Sequence, residues 1–388
     1  MGALRSPALA PRDAITQPHT FRFFDVDLRL ETDSSAFIAA FDTLYVRLRV
    51  AASAARVTGY AATFRSGAGP PATLTLDGVD YAVAASPRLL PLLVDVVATA
   101  TLAQVRSHHL YHGATLAHGD RACLIVGASG FGKTTLALAL AQRGLRLLSD
   151  ELGAVTASGR VSPFARTVRL RPPTPALLDL PPATVRTDGH GRLLHDAAHT
   201  GAEPTSPPPK LTHLFILDHS PDHASGAAGE CGSRILLAGA PSSLERALHR
   251  MPGVAAVSHR MADNVRFTEV ITASTAPPAT IVAIRRRCVQ ARVLVLDVTP
   301  VAAAQPVFAA TPQVASIPTA AALLATLPHL IGGPLAALRT AAVTGASPPA
   351  AALMATLAGA FSPVRCFRLQ PGPPGATADR ILALMDES

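Results

Sequence analysis

Residues 121–150 constrain the fold more than any other part of this chain. They begin with a short apolar segment, residues 123–126, that favours a buried β-strand. Residues 127–134, the glycine-rich loop, have the sequence GASGFGKT, which fits the phosphate-binding pattern G-x-x-x-x-G-K-[ST]. A helix is predicted to begin at Lys133, and a second buried strand to end at Asp150. This order of strand, loop, helix and strand predicts an α/β fold.

The glycine-rich loop has the residue types that binding a phosphate chain requires. Gly127, Gly130 and Gly132 lack a Cβ atom, so the backbone can reach positive φ and wrap closely around a phosphate. Successive N–H groups form an anion-binding nest, and the helix N-terminus adds unpaired donors. Lys133 is expected to reach the β- and γ-phosphates, and the hydroxyl of Thr134 to bind Mg²⁺. The alternative is a glycine-rich turn that binds no ligand. The predicted nucleotide-binding residues are Gly127, Ala128, Ser129, Gly130, Phe131, Gly132, Lys133, Thr134 and Thr135.

Two carboxylates, Asp150 and Glu151, follow the second strand of this stretch. Ligands of open α/β sheets bind at the carboxyl ends of strands, so both side chains are expected near the phosphates. A carboxylate there can bind Mg²⁺ or act as a general base. The alternative is a charged pair that caps the strand. Asp218 follows the apolar segment LFIL and is the second choice as a metal ligand.

Composition and charge limit the classes of partner. The chain has 388 residues, enough for two or three domains, and a net charge of +8. This charge is compatible with an anionic partner such as a nucleotide. No basic face interleaved with aromatic residues appears, so nucleic-acid binding is not predicted. The oligomeric state stays open, with a homo-oligomer as one option.

Cysteine spacing and hydropathy bear on location. The four cysteines are far apart and form no C-x-x-C pair, so neither a disulfide nor a metal framework is predicted and a cytoplasmic location is expected. The N-terminus lacks the apolar core of a signal peptide. Residues 89–102 are apolar, but Pro91 and Asp95 interrupt them and they are short for a membrane span. A soluble protein with no membrane partner is therefore predicted.

Patterning along the chain predicts four regions. Residues 1–18 are expected to form a disordered leader, 19–107 an N-terminal α+β domain, 108–300 a P-loop core with a mixed sheet, and 301–388 an Ala/Pro-rich α/β extension. The predicted strands cover residues 21–31, 56–64, 72–84 (a hairpin with a turn at Asp77-Gly78), 111–117, 123–126, 152–156, 160–162, 164–170, 211–218, 291–298 and 364–369. The predicted helices cover residues 34–48, 88–105, 244–250, 261–287 with a break at Pro277-Pro278, 348–360 and 376–385. Residues 180–209 are predicted to form a mobile loop.

The stretch from Tyr111 to Phe164 resembles the HPr kinase/phosphorylase family and its shorter relatives, the HprK-like serine kinases. Their motif is close to H-G…G-x-S-G-x-G-K-S…R-G-H-R-L-[IV]-A-D-D. This chain has His112-Gly113, then the glycine-rich loop, then RGLRLLSDE up to Glu151. The loop is also similar to that of ATP-dependent phosphoenolpyruvate carboxykinases, whose nucleotide core is related.

The resemblance implies a fold and an activity. It implies an HprK/carboxykinase-like P-loop kinase that uses ATP and Mg²⁺ to phosphorylate a Ser or Thr hydroxyl of a protein or peptide. A natural-product precursor peptide is one acceptor, because shorter relatives occur beside genes for such peptides. Asp150 would accept the proton of the hydroxyl and His112 would tune it. Lys133 would neutralise the transferring phosphoryl group, and Thr134, Asp150 and Glu151 would hold Mg²⁺. The alternative for His112 is a strand histidine bonded to a backbone carbonyl.

Departures from the family motif keep other functions open. Ala128 stands where many members have Asp, Glu151 replaces the second Asp, and the E-I-R-G-L-G segment is absent. These departures argue against HPr as the substrate and against phosphorolysis. An inactive nucleotide-binding regulatory module and a small-molecule kinase remain alternatives. Three arginines after the motif either contact a phosphate or an acidic partner or lie on a solvated strand face: Arg166, Arg169 and Arg171.

Overall fold

The computed structural model of the chain describes residues 18–51, 58–66, 71–84, 86–188, 191–195, 207–218, 232–262, 265–301, 308–332 and 350–387. It has a mixed α/β fold, and two of the four sheets in the described residues combine parallel and antiparallel strands. Residues 1–17 of the predicted leader lie outside the described residues.

The N-terminal part of the chain is an α+β unit. Its sheet has the strand order β3-β1-β2-β4-β5-β6, and two helices share a hydrophobic core with it. Its elements are β1 (His19–Phe23), β2 (Val26–Thr32), α1 (Ser35–Tyr45), β3 (Arg49–Val50), β4 (Thr58–Arg65), β5 (Ala72–Leu76), β6 (Val79–Val83) and α2 (Leu90–Leu102). Helix α1 begins after Ser34, whose hydroxyl accepts a hydrogen bond from the N–H of Phe37 at 3.2 Å.

Two hairpins of this unit, β1–β2 and β5–β6, differ in how well the sequence predicts them. The turn at Asp77-Gly78 is confirmed, with φ of 51° and 73° at its two residues. The single strand predicted over residues 21–31 is wrong, because β1 and β2 form an antiparallel hairpin. Its turn contains Phe24 at φ 58°, and the Phe24 ring stacks on Phe164 of the following unit. This turn has a positive φ without glycine, and the residue that adopts it packs against a distant part of the chain.

The central unit contains the glycine-rich loop. Its elements up to residue 217 are β7 (His108–His118), β8 (Arg121–Val126), α3 (Lys133–Ala141), β9 (Arg146–Ser149), β10 (Leu152–Thr156), β11 (Val161–Ser162), β12 (Val168–Leu170), α4 (Pro173–Leu177), β13 (Val185–Thr187), β14 (Leu193–His195) and β15 (Lys210–Leu217). Strand β7 is antiparallel to β8, β9 and β10. Strands β12, β14 and β13 form a separate small sheet.

A four-stranded sheet with the order β17-β18-β16-β19 interrupts the central unit. Its elements are β16 (Ser233–Ala238), α5 (Ser242–His249), β17 (Val254–Ala262), β18 (Val265–Thr272), α6 (Pro278–Gln290) and β19 (Leu294–Pro300). The helix predicted over residues 261–287 is therefore wrong before Pro278. The segment VRFTEVIT alternates between buried and half-buried positions over most of its length, which is the period of a strand, and it pairs on both sides.

The C-terminal residues complete the central sheet. They form β20 (Gln313–Ser316), α7 (Thr319–Thr326), β21 (Leu330–Gly332), α8 (Ala350–Phe361), β22 (Arg365–Gln370) and α9 (Pro374–Asp386). The main strand order is β11-β10-β7-β8-β15-β22-β20. Strands β8, β15 and β22 are parallel, so their carboxyl ends meet at one edge. Helices α3 and α9 pack on one face and α7 and α8 on the other.

Two further expectations need correction. Within residues 164–170 only β12 is a strand, because the N–H groups of Phe164 and Thr167 bond to carbonyls of different elements, Leu148 and Leu44. The predicted loop 180–209 contains β13 and β14, and its residues 189–190 and 196–206 lie outside the described part. No helix in the described ranges combines the length and the apolar character that crossing a membrane requires.

Candidate functional site at the glycine-rich loop

The backbone of the glycine-rich loop requires its glycines. Gly130 has φ 87°, and Gly132, with φ 86°, is the N-cap of α3. A side chain is strained at both positions. Gly127 faces β15 so closely that a Cβ atom there would lie 2.8 Å from the Cβ of Leu217. The loop thus lies against the carboxyl end of a parallel strand, where α/β sheets bind ligands.

Lys133 places a positive charge inside the loop. Its ammonium group donates hydrogen bonds to the carbonyl oxygens of Gly127 (2.8 Å) and Ala128 (3.0 Å). The side chain is buried, and burial lowers the pKa of Lys133 to about 8; Arg171 lowers it further while Glu151 raises it. The ammonium is therefore held at the loop by its own carbonyls and interacts with charges on two other segments.

Strand β7 brings a histidine beside the loop. A Cβ atom on Gly113 would lie 2.6 Å from the carbonyl oxygen of Ile125, so only glycine permits this approach of β7 to β8. The Gly113 N–H donates to the carbonyl of Glu151 at 3.0 Å. The preceding residue, His112, lies with its Nδ1 3.7 Å from Oε1 of Glu151. Burial, followed by the charge of Lys133, lowers the pKa of His112 to about 4, so its ring is neutral at pH 7.

Asp150 and Glu151 lie between β9 and β10 and occupy different environments. Asp150 is only 3% exposed, and neither carboxylate oxygen has a hydrogen-bond partner among the described residues. Burial raises the pKa of Asp150. The Glu151 side chain is 43% exposed, and Arg166 lowers the pKa of Glu151 to about 2. The pair therefore combines a desolvated carboxylate with a firmly ionised one.

The structure gives different environments to the three arginines for which the sequence allowed two interpretations. Arg166 is buried; its guanidinium donates to Oε2 of Glu151, and its Nε lies 3.5 Å from Oδ1 of Asp150. Arg166 is thus neither a solvated strand residue nor directed at an external partner. Arg169 bonds to Asp95 of α2, and Arg171 is exposed beside Gly130.

The remaining candidates also have definite positions. Asp218 follows β15, and its Oδ2 lies 3.5 Å from Nε of Arg368 on β22. Thr134 is half-buried in the first turn of α3, and the hydroxyl of Thr135 lies 3.1 Å from that of Thr174. Within the described ranges, no group of three or more His, Cys, Asp or Glu residues could hold a metal. Mg²⁺ bound together with phosphates uses only one or two carboxylates; of the two candidates Glu151 is partly exposed, whereas Asp150 is buried beside Arg166.

One residue at the loop has no signal in the sequence. The ring of Phe308 comes within 3.7 Å of the Cβ position of Gly132, and its side chain is 53% exposed. It lies in the Ala/Pro-rich C-terminal region, far from the loop in sequence. Only the return of the chain to the central sheet brings it to the loop.

Comparison of the sequence with protein-family models gives no match, and comparison with curated proteins gives none.

Proposed function

We propose that the protein is an ATP-dependent, HprK-like kinase that transfers the γ-phosphoryl group to a Ser or Thr hydroxyl of a protein or peptide. The observation that supports this most is the convergence of Lys133, His112 and the Asp150-Glu151 pair at one edge of the central sheet. Phosphoryl transfer depends mainly on positioning and on neutralising charge, which such a set supplies. A cytoplasmic location is part of the proposal.

In this proposal the loop amides and Lys133 bind the triphosphate. Thr134 and Glu151 would hold Mg²⁺, which suits the ionised state of Glu151. The metal ion would neutralise charge on the β- and γ-phosphates. Neutral His112 next to Glu151 adds no second positive charge at this position.

Asp150 is proposed as the proton acceptor. The hydroxyl oxygen of the acceptor forms a bond to the γ-phosphorus, the bond to the leaving ADP oxygen breaks, and the hydroxyl proton passes to the carboxylate. A general base works best when its pKa approaches the working pH, and burial shifts the pKa of Asp150 upward. Among the described residues its oxygens make no hydrogen bond beyond the 3.5 Å ion pair of Oδ1 with Nε of Arg166, so they keep acceptor capacity for a hydroxyl.

The burial of Asp150 also favours a second candidate, a nucleotide-binding regulatory module without transfer activity. At 3% exposure the carboxylate meets an acceptor only if neighbouring residues move. Such a module would bind ATP and return no phosphorylated product. A small-molecule kinase would show transfer to a metabolite and none to peptides.

Mass spectrometry of transfer from γ-labelled ATP to a co-encoded peptide distinguishes these functions. The proposal predicts labelled Ser or Thr with the native protein, none with Lys133→Ala, and none with Asp150→Asn despite intact ATP binding. The variant Glu151→Gln tests the metal site and should raise the Mg²⁺ concentration needed for transfer. If Asp150→Asn transfers at the native rate, the base assignment is wrong; if the native protein binds ATP and labels nothing, the regulatory module is favoured.

A further inference from the structure

Arg171 differs from the two arginines that precede it in the same segment. Arg166 pairs with Glu151 and Asp150, and Arg169 makes two hydrogen bonds with Asp95. Arg171 has no hydrogen bond or ion pair from its side chain to any residue in the described ranges. Among the described residues, its charge is therefore left without a partner.

The guanidinium of Arg171 lies against the glycine-rich loop. Its Nη1 is 3.3 Å from the position that a Cβ atom on Gly130 would occupy, so a side chain there would press on it. It also lies near enough to Lys133 to lower the pKa of that ammonium. Two cations thus lie at the same glycine-rich loop, an arrangement that favours a polyanion.

The backbone holds Arg171 in this place from both sides. It follows β12 directly, and β12 pairs with β14. Arg169, two residues earlier, is anchored to α2 through Asp95. The Arg171 carbonyl accepts a hydrogen bond from the Thr174 N–H at 2.9 Å, at the start of α4. The backbone that carries Arg171 is therefore fixed before a ligand binds.

We propose that Arg171 is a second phosphate-binding cation, which contacts the terminal phosphates of a nucleoside triphosphate together with Lys133. This inference depends on the proposed function. The lysine of such a loop reaches the β- and γ-phosphates, so its neighbour Arg171 faces the same end of the triphosphate. The planar guanidinium can donate two parallel hydrogen bonds to phosphate oxygens, which a lysine cannot reproduce.

The test measures the affinity of the full chain for ATP, ADP and inorganic tripolyphosphate. Arg171→Ala should weaken ATP and tripolyphosphate binding by about 10- to 100-fold, the range for charge-assisted hydrogen bonds, and ADP binding much less. Arg171→Lys should recover only part of the loss. Arg47→Ala removes the same charge from an exposed position in the N-terminal unit and should bind like the native protein.

The outcomes separate this inference from the proposed function. If the native protein binds ATP and Arg171→Ala binds it equally well, the role of Arg171 is refuted and the proposed function stands. An equal loss for ADP and ATP would also refute a contact with the terminal phosphate. If the native protein binds neither ATP nor tripolyphosphate, the proposed function fails and the inference fails with it.

Discussion

Arg169 and Asp95 form a two-point salt bridge, with N–O distances of 2.8 and 2.6 Å, between the segment that carries Arg166 and Arg171 and helix α2 of the N-terminal unit. The N–H of Thr167 adds a hydrogen bond to the carbonyl of Leu44 in helix α1 at 3.0 Å. The N-terminal unit therefore contacts the segment that orders the candidate site. Residues outside the loop motif thus contribute to the geometry of the site.

Removing the charge of Asp95 should loosen this connection. We expect Asp95→Asn to lower the free energy of unfolding by about 1–3 kcal/mol, because the half-buried Arg169 guanidinium loses its charged partner. Chemical denaturation measures the change. Asp379→Asn, which removes a partner of Arg143 at an exposed position, should have a much smaller effect. Equal losses in the two variants would contradict a special role for the Asp95 contact.

Arg166 should be required for folding stability as well as for the site. Arg166→Met leaves Asp150 buried without a counter-charge, and we expect a loss of about 3–5 kcal/mol in the free energy of unfolding. The double variant Arg166→Met/Asp150→Asn should recover part of that loss, because the uncompensated buried charge is gone. A double-mutant cycle in denaturant measures both effects. Strictly additive losses would show that the two residues do not interact.

Two glycines offer a matched test with opposite signs. Gly113→Ala forces a Cβ atom to within 2.6 Å of a backbone oxygen of β8, so we expect the free energy of unfolding to fall by about 1–3 kcal/mol, the range for overpacked sites. Gly359 lies exposed in helix α8 with open space around it, and Gly359→Ala should raise stability by about 0.5–1 kcal/mol. Thermal unfolding of both variants measures these changes. A stable Gly113→Ala would contradict the close approach of β7 to β8.

His213 should make stability depend on pH. Its ring is fully buried and nearly parallel to the rings of Phe215 and Phe367, and burial, followed by the charge of Arg365, lowers the pKa of His213 to about 4. Between pH 6.5 and 4 the unfolded chain binds a proton that the folded protein does not. The contribution of neutral His213 to the free energy of unfolding is therefore fully present above pH 6.5. It falls by about 3 kcal/mol as the pH drops to 4.

The variant His213→Phe isolates this contribution, because other buried histidines titrate in the same range. It keeps the aromatic packing and removes the titration. We expect the stability of the variant to fall less steeply between pH 6.5 and 4 than that of the native protein. Denaturation at a series of pH values measures both slopes, and equal slopes would exclude His213 as a source of the dependence.

Local sequence patterns predict the part of the fold around the loop. The apolar segment before Gly127, the helix beginning at Lys133 and the strand before Asp218 are all confirmed, because burial, glycine and length signals agree there. The hairpin at Asp77-Gly78 is confirmed for the same reason. The roles of these residues in binding and transfer stay predictions.

Other features depend on contacts between distant segments. The pattern of residues 21–31 contains no glycine or proline at the turn, so the hairpin is invisible without its packing on Phe164. Residues 261–287 are predicted to be mainly helical, although VRFTEVIT has the strand period. The burial of Arg166 between two carboxylates and the position of Phe308 depend on segments far apart in sequence.

Calorimetric titration of the full chain and of Lys133→Ala with ATP in the presence of Mg²⁺ tests the central claim most directly. Lys133 donates to the carbonyls of the loop and provides its buried positive charge. We predict saturable binding of ATP to the native protein and a loss of at least about 100-fold in affinity for the variant. Native protein that takes up no ATP, or a variant that binds it as tightly, would contradict the assignment of the glycine-rich loop as a triphosphate site.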